Sequence, residues 1–308
     1  MIFICAQPAT LFYAWQVEVM LDSFIDNGIQ QNDIHIVCAK GDNYYLGWDN
    51  LVAKYSNVKF FFYEDSRNTK GYVSSIRPNI LKQHFSENPH LVNEIIFYHD
   101  CDIILTKKID WTQFTEDDFW YGSDCCDYLG YNHILNKGED VLNKMCEISS
   151  IDAEIIRSNQ DNSIGAQYVL KGIDYKFWEN VETDSERLYT EITELNRIKK
   201  GLDPLYEELV IYCSDMWALL WNGWKIGKKT ICHEGLGFCW APRGVSEYER
   251  YSIFHNAGIQ NDMQDEYFYK YKYLNNLPYK AAIDIKTDTA SYKYWEYIKK
   301  TGMNSVLI

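Results

Sequence analysis

Asp100 and Asp102, separated by Cys101, sit inside the run Glu94-Ile95-Ile96-Phe97-Tyr98-His99-Asp100-Cys101-Asp102-Ile103-Ile104-Leu105. Most of that run is apolar and reads as a buried strand. On an extended chain, residues one apart point to the same side. A buried carboxylate is costly unless it is paired or bound to metal. Two of them side by side favour a hard divalent cation held by oxygen ligands. Carboxylates that hold a metal, which in turn holds phosphates, are the chemistry of a nucleoside-diphosphate site. The plainer alternative is an acidic loop that follows a core strand.

Two other polar residues stand out. Asp215 lies among Met216, Trp217, Leu219, Leu220 and Trp221. A lone acid on an apolar helix suits a base that takes a hydroxyl proton, or a group that positions that hydroxyl. It also suits an N-cap, with Ser214-Asp215 opening the helix. Arg77 precedes Pro78 at a helix start. Its guanidinium could bind diphosphate oxygens bidentately or form a surface ion pair.

The elements that must position these groups alternate. Ile2–Ala6 reads as a strand, Phe12–Ile25 as a helix with Ala14, Val17, Leu21 and Phe24 on one stripe, and Asp33–Cys38 as a strand. Tyr45–Tyr55 reads as a helix, Val58–Tyr63 as a strand, Ser75–Asn88 as a helix with Pro in its first turn, and Glu94–Leu105 as a fourth strand. This alternation predicts an α/β fold with a mixed, mainly parallel central sheet and helices on both faces. Ligands in such sheets bind at the carboxyl ends of strands, where Ala6-Gln7-Pro8 and the two aspartates fall. The second half is less regular. Ser163–Gln167 reads as a small-residue loop, Tyr175–Asn196 and Tyr212–Trp224 as helices, and Cys232–Trp240 as a strand. The Tyr/Lys/Asn-rich segment after Gln260 is expected to wrap the domain or fray.

Composition narrows the class. The 308 residues are 46% hydrophobic, enough for a large core. Aromatics reach 16%, with 25 Tyr and 10 Trp, which suits sugar stacking, a coding bias or an ordinary large core. A net charge of −14 disfavours nucleic acid as a partner. No apolar run is of membrane length, and the start of the sequence lacks a basic segment and an apolar stretch long enough for a signal peptide. Nine cysteines without paired CxxC spacing point to reduced thiols. The expectation is a cytoplasmic protein.

The order of these motifs resembles glycosyltransferases of the GT-A fold (EC 2.4 class): the opening strand to Ala6-Gln7-Pro8, the Arg77-Pro78 helix start, Asp100-Cys101-Asp102 and a late His255. Gly165–Lys171, Phe177-Trp178-Glu179, Ser214–Trp221 and Phe254-His255-Asn256-Ala257-Gly258 look more narrowly like relatives of peptidyl-serine galactosyltransferases and hydroxyproline arabinosyltransferases. The general likeness implies a single domain over 1–260, with a nucleotide-sugar half (1–105) and an acceptor half (106–260), and a C-terminal extension (261–308) packed on it. It implies Mn²⁺ or Mg²⁺ held by Asp100, Asp102 and His255. Imidazole with two carboxylates and open positions suits Mn²⁺, although a core or surface histidine is the alternative for His255. His233 is a weaker rival ligand, and His99 reads as structural, facing the other side of its strand.

The same likeness implies a UDP-sugar donor contacted by Ala6, Gln7, Pro8, Arg77, Asp100, the backbone of Cys101, Asp102 and Gln167. From its own setting Asp215 is the candidate catalytic residue, although retention would leave it only a positioning group, and Trp240 is a candidate acceptor platform, a buried core Trp being the alternative there. The acceptor would be a hydroxyl of a glycan or peptide, and the narrower relatives suggest retention of anomeric configuration. There are departures from the pattern. A Cys separates the aspartates, Ser163 stands where glycine is expected, and nothing resembles the anchor of Golgi-resident relatives, which suggests a microbial or viral enzyme. Two rival classes are a metal-dependent nucleotidyltransferase and a silent carbohydrate-binding module. The first usually carries a Gly-rich basic loop, and Ala6-Gln7-Pro8-Ala9-Thr10 has neither feature.

Overall fold

A computed structural model describes residues 1–308. In chain order the elements are β1 (Ile2–Pro8), α1 (Leu11–Asp26), β2 (Ile34–Lys40), α2 (Gly47–Lys54), β3 (Lys59–Glu64), α3 (Ile76–Glu87), β4 (Ile95–Tyr98), β5 (Ile103–Leu105), β6 (Trp120–Asp124), α4 (Cys126–Leu129), α5 (Tyr131–Leu135), α6 (Glu139–Ser149), α7 (Ala153–Ser158), β7 (Ile164–Lys171), α8 (Tyr175–Leu202), α9 (Ser214–Lys225), β8 (Thr230–Cys232), β9 (Phe238–Trp240), α10 (Val245–Arg250), β10 (Ile253–His255) and α11 (Ala290–Gly302). The strands form a seven-stranded, mostly parallel sheet, ordered β3-β2-β1-β4-β7-β6-β8, and a three-stranded sheet, ordered β5-β10-β9. The expected α/β class with a mixed central sheet is what forms. β7 is its antiparallel member, paired that way with both β4 and β6.

The chain divides into two compact units. The first comprises Ile2–Phe62, His99–Trp111 and Gly235–Ile308. Here β1 pairs in parallel with β2, and the predicted stripe Ala14, Val17, Leu21 and Phe24 of α1 is fully buried. Each such side chain contributes about 1.5–3 kcal/mol when large and apolar. Glu18 is buried on the same helix but fully partnered. It accepts from Lys54 Nζ (2.9 Å), Tyr279 OH (2.6 Å), Ser305 Oγ (2.6 Å) and Val306 N (3.1 Å). The segment after Gln260 is thereby tied to α1. It also carries an aromatic cluster in which Phe268 stacks on Tyr273 and Trp295 and meets Trp15 edge-on.

The second unit comprises Met1, Tyr63–Tyr98 and Thr112–Glu234. α8 begins at an Asp174 cap, whose side chain accepts from Phe177 N. Its buried acids are answered by neighbours: Glu182 by Asn79 and Lys82, Asp184 by Asn222 and Lys225. Trp15, Trp48, Trp120, Trp178, Trp217 and Trp221 are all fully buried in the chain. Much of the aromatic excess is therefore core.

Three expected elements differ. Glu94–Leu105 is not one strand: β4 ends at Tyr98, Cys101-Asp102 make a turn, and β5 joins the other sheet. The carboxylates thus leave the sheet interior, where their desolvation would go unanswered. Cys232–Trp240 splits into β8 and β9 around the helical turn Glu234–Leu236, because His233-Glu234-Gly235 breaks the apolar run. Ser163–Gln167 is mostly strand, the start of β7.

Candidate metal centre and its neighbours

β10 brings His255 to the aspartates. It pairs antiparallel with β5, placing His255 opposite Ile103, and Asn256 N donates to the Asp102 carbonyl (2.9 Å). His255 Nε2 lies 3.3 Å from Asp102 Oδ1 and 3.5 Å from Asp100 Oδ2. One ligand atom from each of the three residues falls within 4.8 Å of the others. Asp102 and His255 are buried and Asp100 is half-buried. Neighbouring ligands on an octahedral divalent ion at ~2.1 Å lie about 3 Å apart. The donor set and its spacing fit Mn²⁺ or Mg²⁺.

The surroundings hold this geometry. The His255 ring stacks on Trp240 (6.2 Å between centroids, 9° between planes) and tilts against Phe238. His99 is buried and its Nδ1 lies 2.9 Å from the Asp100 carbonyl oxygen. Burial pushes its pKa down to about 4. The His233 ring lies edge-on to Phe114 and Tyr121.

Lys270 is the residue that sequence reasoning missed. Its Nζ bonds Asp102 Oδ2, leaving Oδ1 on the His255 side. Burial opposes the charge on Asp102, but Lys270 and His255 hold its carboxyl well below the usual carboxylate range. Burial likewise opposes the ammonium, and Asp102 more than offsets that, raising Lys270. Tyr269-Lys270-Tyr271-Lys272 has no periodicity that singles out one lysine.

The remaining predicted residues fall as follows. Gln7 ends β1, and its Nε2 donates to Val37 O (3.2 Å). Its Oε1 is buried without a hydrogen-bond partner. Ala6 and Pro8 flank it, Ala6 buried and Pro8 partly so, and Cys101 is buried in the turn between the two aspartates. In the second unit, Asp215 stands in the first turn of α9 but does not cap it. Its Oδ1 accepts from Tyr72 OH (2.7 Å), and Arg77 Nη1 lies 3.5 Å from Oδ2. Asp215 is therefore not a lone acid. Burial, and then the Asp215 charge, raise the Tyr72 phenol, so it remains a donor. Gln167 is fully buried on β7 and its Oε1 accepts from Ser123 Oγ (2.6 Å). The β6–β7 register shifts beside Ser123, and Ala166 has φ +58, a left-handed conformation that non-glycine residues rarely adopt.

The sequence matches no protein-family model and no curated protein sequence. Solved structures that share the fold include glycosyltransferases. The apo structure of the bifunctional glycosyltransferase WbbM is 10% identical with a TM-score of 0.52, over 99% of this chain and 50% of that one. This chain thus spans half the length of that protein. An active-site mutant of LgtC is 11% identical with a TM-score of 0.48, over 97% of this chain and 96% of that one. At 10% identity the likeness to WbbM shows the fold alone. No helix of the chain is long and apolar enough to cross a membrane.

Proposed function

We propose that this chain is a metal-dependent glycosyltransferase that moves a sugar from a UDP-sugar to a hydroxyl of a glycan or peptide, with retention. The observation that carries the reading is the convergence of Asp100, Asp102 and His255 at octahedral spacing on a GT-A-like fold. Mn²⁺ or Mg²⁺ held there would neutralise the diphosphate of the leaving nucleotide. In this reading residues 1–105 form the nucleotide-sugar half, residues 106–260 the acceptor half, and residues 261–308 an extension that supplies Lys270.

Roles follow from the chemistry of each group. Asp100, Asp102 and His255 would hold the ion. Lys270 neutralises the second oxygen of Asp102 and offers a cation to the diphosphate. Gln7 Oε1, a buried acceptor without a partner, suits the N–H of a uracil, with Ala6 and Pro8 beside it. Asn256 Nδ2, a buried donor without a partner, suits a phosphate oxygen. Gln167 serves the donor sugar only by giving up its burial on β7 and its bond from Ser123. Asp215, held by Tyr72 and Arg77, positions the acceptor hydroxyl, and Trp240 offers its ring to the acceptor. Arg77 serves the diphosphate only by loosening its 3.5 Å pair with Asp215.

Calorimetry with UDP and a panel of nucleotide sugars, with and without Mn²⁺, tests the reading. UDP should bind in the micromolar range, about −8 kcal/mol, and only with metal present. Oligonucleotides should not bind at physiological salt. Metal-independent, salt-sensitive binding of an oligonucleotide would sink it.

A further inference from the structure

A second cluster of ligand-bearing side chains lies in the unit that contains β6 and β8, and it takes no part in the function proposed above. β6 and β8 are parallel neighbours, with Gly122 opposite Cys232, so their carboxyl ends lie together. Asp124 ends β6, Cys126 opens α4 two residues later, and Cys232 ends β8. The Cys126 and Cys232 sulfurs are 3.9 Å apart. Each of the three residues offers one ligand atom, and all three atoms fall within 4.8 Å of one another.

The separation is chemically specific. A disulfide needs ~2.05 Å between sulfurs. Two thiolates on a tetrahedral zinc ion at ~2.3 Å are about 3.8 Å apart. The carboxylate is placed by a local bond, since Asp124 Oδ1 accepts from Cys126 N (3.0 Å). Asp124 is exposed and both thiols are partly exposed, so an ion reaches them from solvent. Cys125, the adjacent thiol, is buried and takes the Tyr128 hydroxyl instead (2.7 Å). That removes it from the set and defines which of the paired cysteines is the ligand.

We infer that Asp124, Cys126 and Cys232 form a site for a thiophilic divalent ion of the zinc type, with water in the fourth position. Binding exchanges two thiol protons for the metal: M²⁺ and two S–H groups give two M–S bonds and two released protons. No oxidant is involved. The site joins the start of α4 to the end of β8. Its soft ligands separate it from the oxygen-rich Asp100/Asp102/His255 centre, which suits hard ions.

Cobalt is the probe. Metal-free, reduced full-length protein titrated with Co²⁺ should develop near-ultraviolet thiolate-to-cobalt charge-transfer absorption and tetrahedral visible bands, which Zn²⁺ then bleaches. Cys126→Ser and Cys232→Ser should each weaken the charge-transfer band and the affinity, and the double variant should lose both. Asp102→Asn should leave the bands intact, so a failure of the transferase reading does not touch this test. If Cys232→Ser does not fold, alkylation mapped by mass spectrometry serves instead: Zn²⁺ should protect Cys126 of the wild-type chain. The inference is overturned by absence of the charge-transfer band, by its persistence in the double variant, or by unprotected Cys126 at saturating Zn²⁺. Reduced protein that ignores cobalt, yet closes a Cys126–Cys232 disulfide in air, overturns it as well.

Discussion

Lys270 Nζ is hydrogen-bonded to Asp102 Oδ2 across 168 residues of chain. The C-terminal segment therefore contributes a fixed cation to the candidate metal centre. The pair divides the carboxylate: one oxygen faces Lys270 and the other faces His255.

Lys270→Met should separate the two jobs of that ammonium. Without it, Asp102 is a buried carboxylate that has lost its closest cation, a change that costs about 3–5 kcal/mol. The melting temperature should fall. Mn²⁺ should then raise it by more than in the wild type, because a ligand that binds only the folded state stabilises it by mass action and no ammonium competes for Asp102. Differential scanning fluorimetry with and without Mn²⁺ reads this. An equal or smaller Mn²⁺ response in the variant would show that Lys270 does not oppose the ion.

Chelation by EDTA should abolish transfer, and Mn²⁺ should restore it better than Ca²⁺. Asp102→Ala should fold yet lose metal-dependent UDP binding by orders of magnitude. Calorimetry that finds wild-type affinity in this variant would place the nucleotide site elsewhere.

Asp215→Asn keeps the shape and the oxygen facing Tyr72 but removes charge and basicity. If Asp215 takes the acceptor proton, turnover should drop by about 10²–10⁴ while the melting temperature barely moves. Tyr72→Phe removes a hydroxyl that meets Asp215 Oδ1 (2.7 Å), Asp215 N (3.1 Å) and Tyr212 O (2.6 Å) but leaves the carboxylate in place, and should cost less turnover. Steady-state kinetics with a fixed donor distinguishes the cases. Near-wild-type turnover by the Asn variant eliminates the base role and leaves only positioning.

Glu18→Ala should destabilise the chain by about 3–5 kcal/mol, because it strips a buried acid from Lys54, Tyr279 and Ser305. Tyr279→Phe removes the hydroxyl that meets Glu18 (2.6 Å) and the Trp15 carbonyl (3.4 Å) and should cost about 1 kcal/mol. Denaturant melts measure both. Faster trypsin cleavage near Lys299 and Lys300 should accompany the first, since the end of the chain is moored to α1 through Glu18.

Acid should weaken the fold through His84. Burial holds its pKa at about 3, and its Nδ1 lies 3.0 Å from Tyr63 OH. The unfolded imidazole titrates near 6.5. Below that value the unfolded state takes up a proton that the folded state refuses, so stability falls as pH drops from about 6.5 towards 3. His84→Gln should flatten this part of the stability–pH curve. An unchanged slope in denaturant melts across that range would remove His84 as the cause.

The sequence by itself determined the class of fold and singled out Asp100 and Asp102 as candidate ligands. Strand–helix alternation through the first 105 residues and the buried stripe of α1 are local periodicities, visible without partners. Asp100 and Asp102 announced themselves because acids in an apolar run need a reason. Where those acids would sit was a tertiary matter. The run splits between two sheets because β5 finds β10, a pairing set by burial of Ile103, Ile104, Ile253 and Phe254 and not by any local signal. The same pairing delivers His255. Lys270, the Tyr72–Asp215–Arg77 group and the Cys126–Cys232 contact lie between residues distant in sequence, and no spacing rule joins them. Side-chain chemistry was legible in one dimension. Which charges answer which, and which thiols meet, was decided by packing in three.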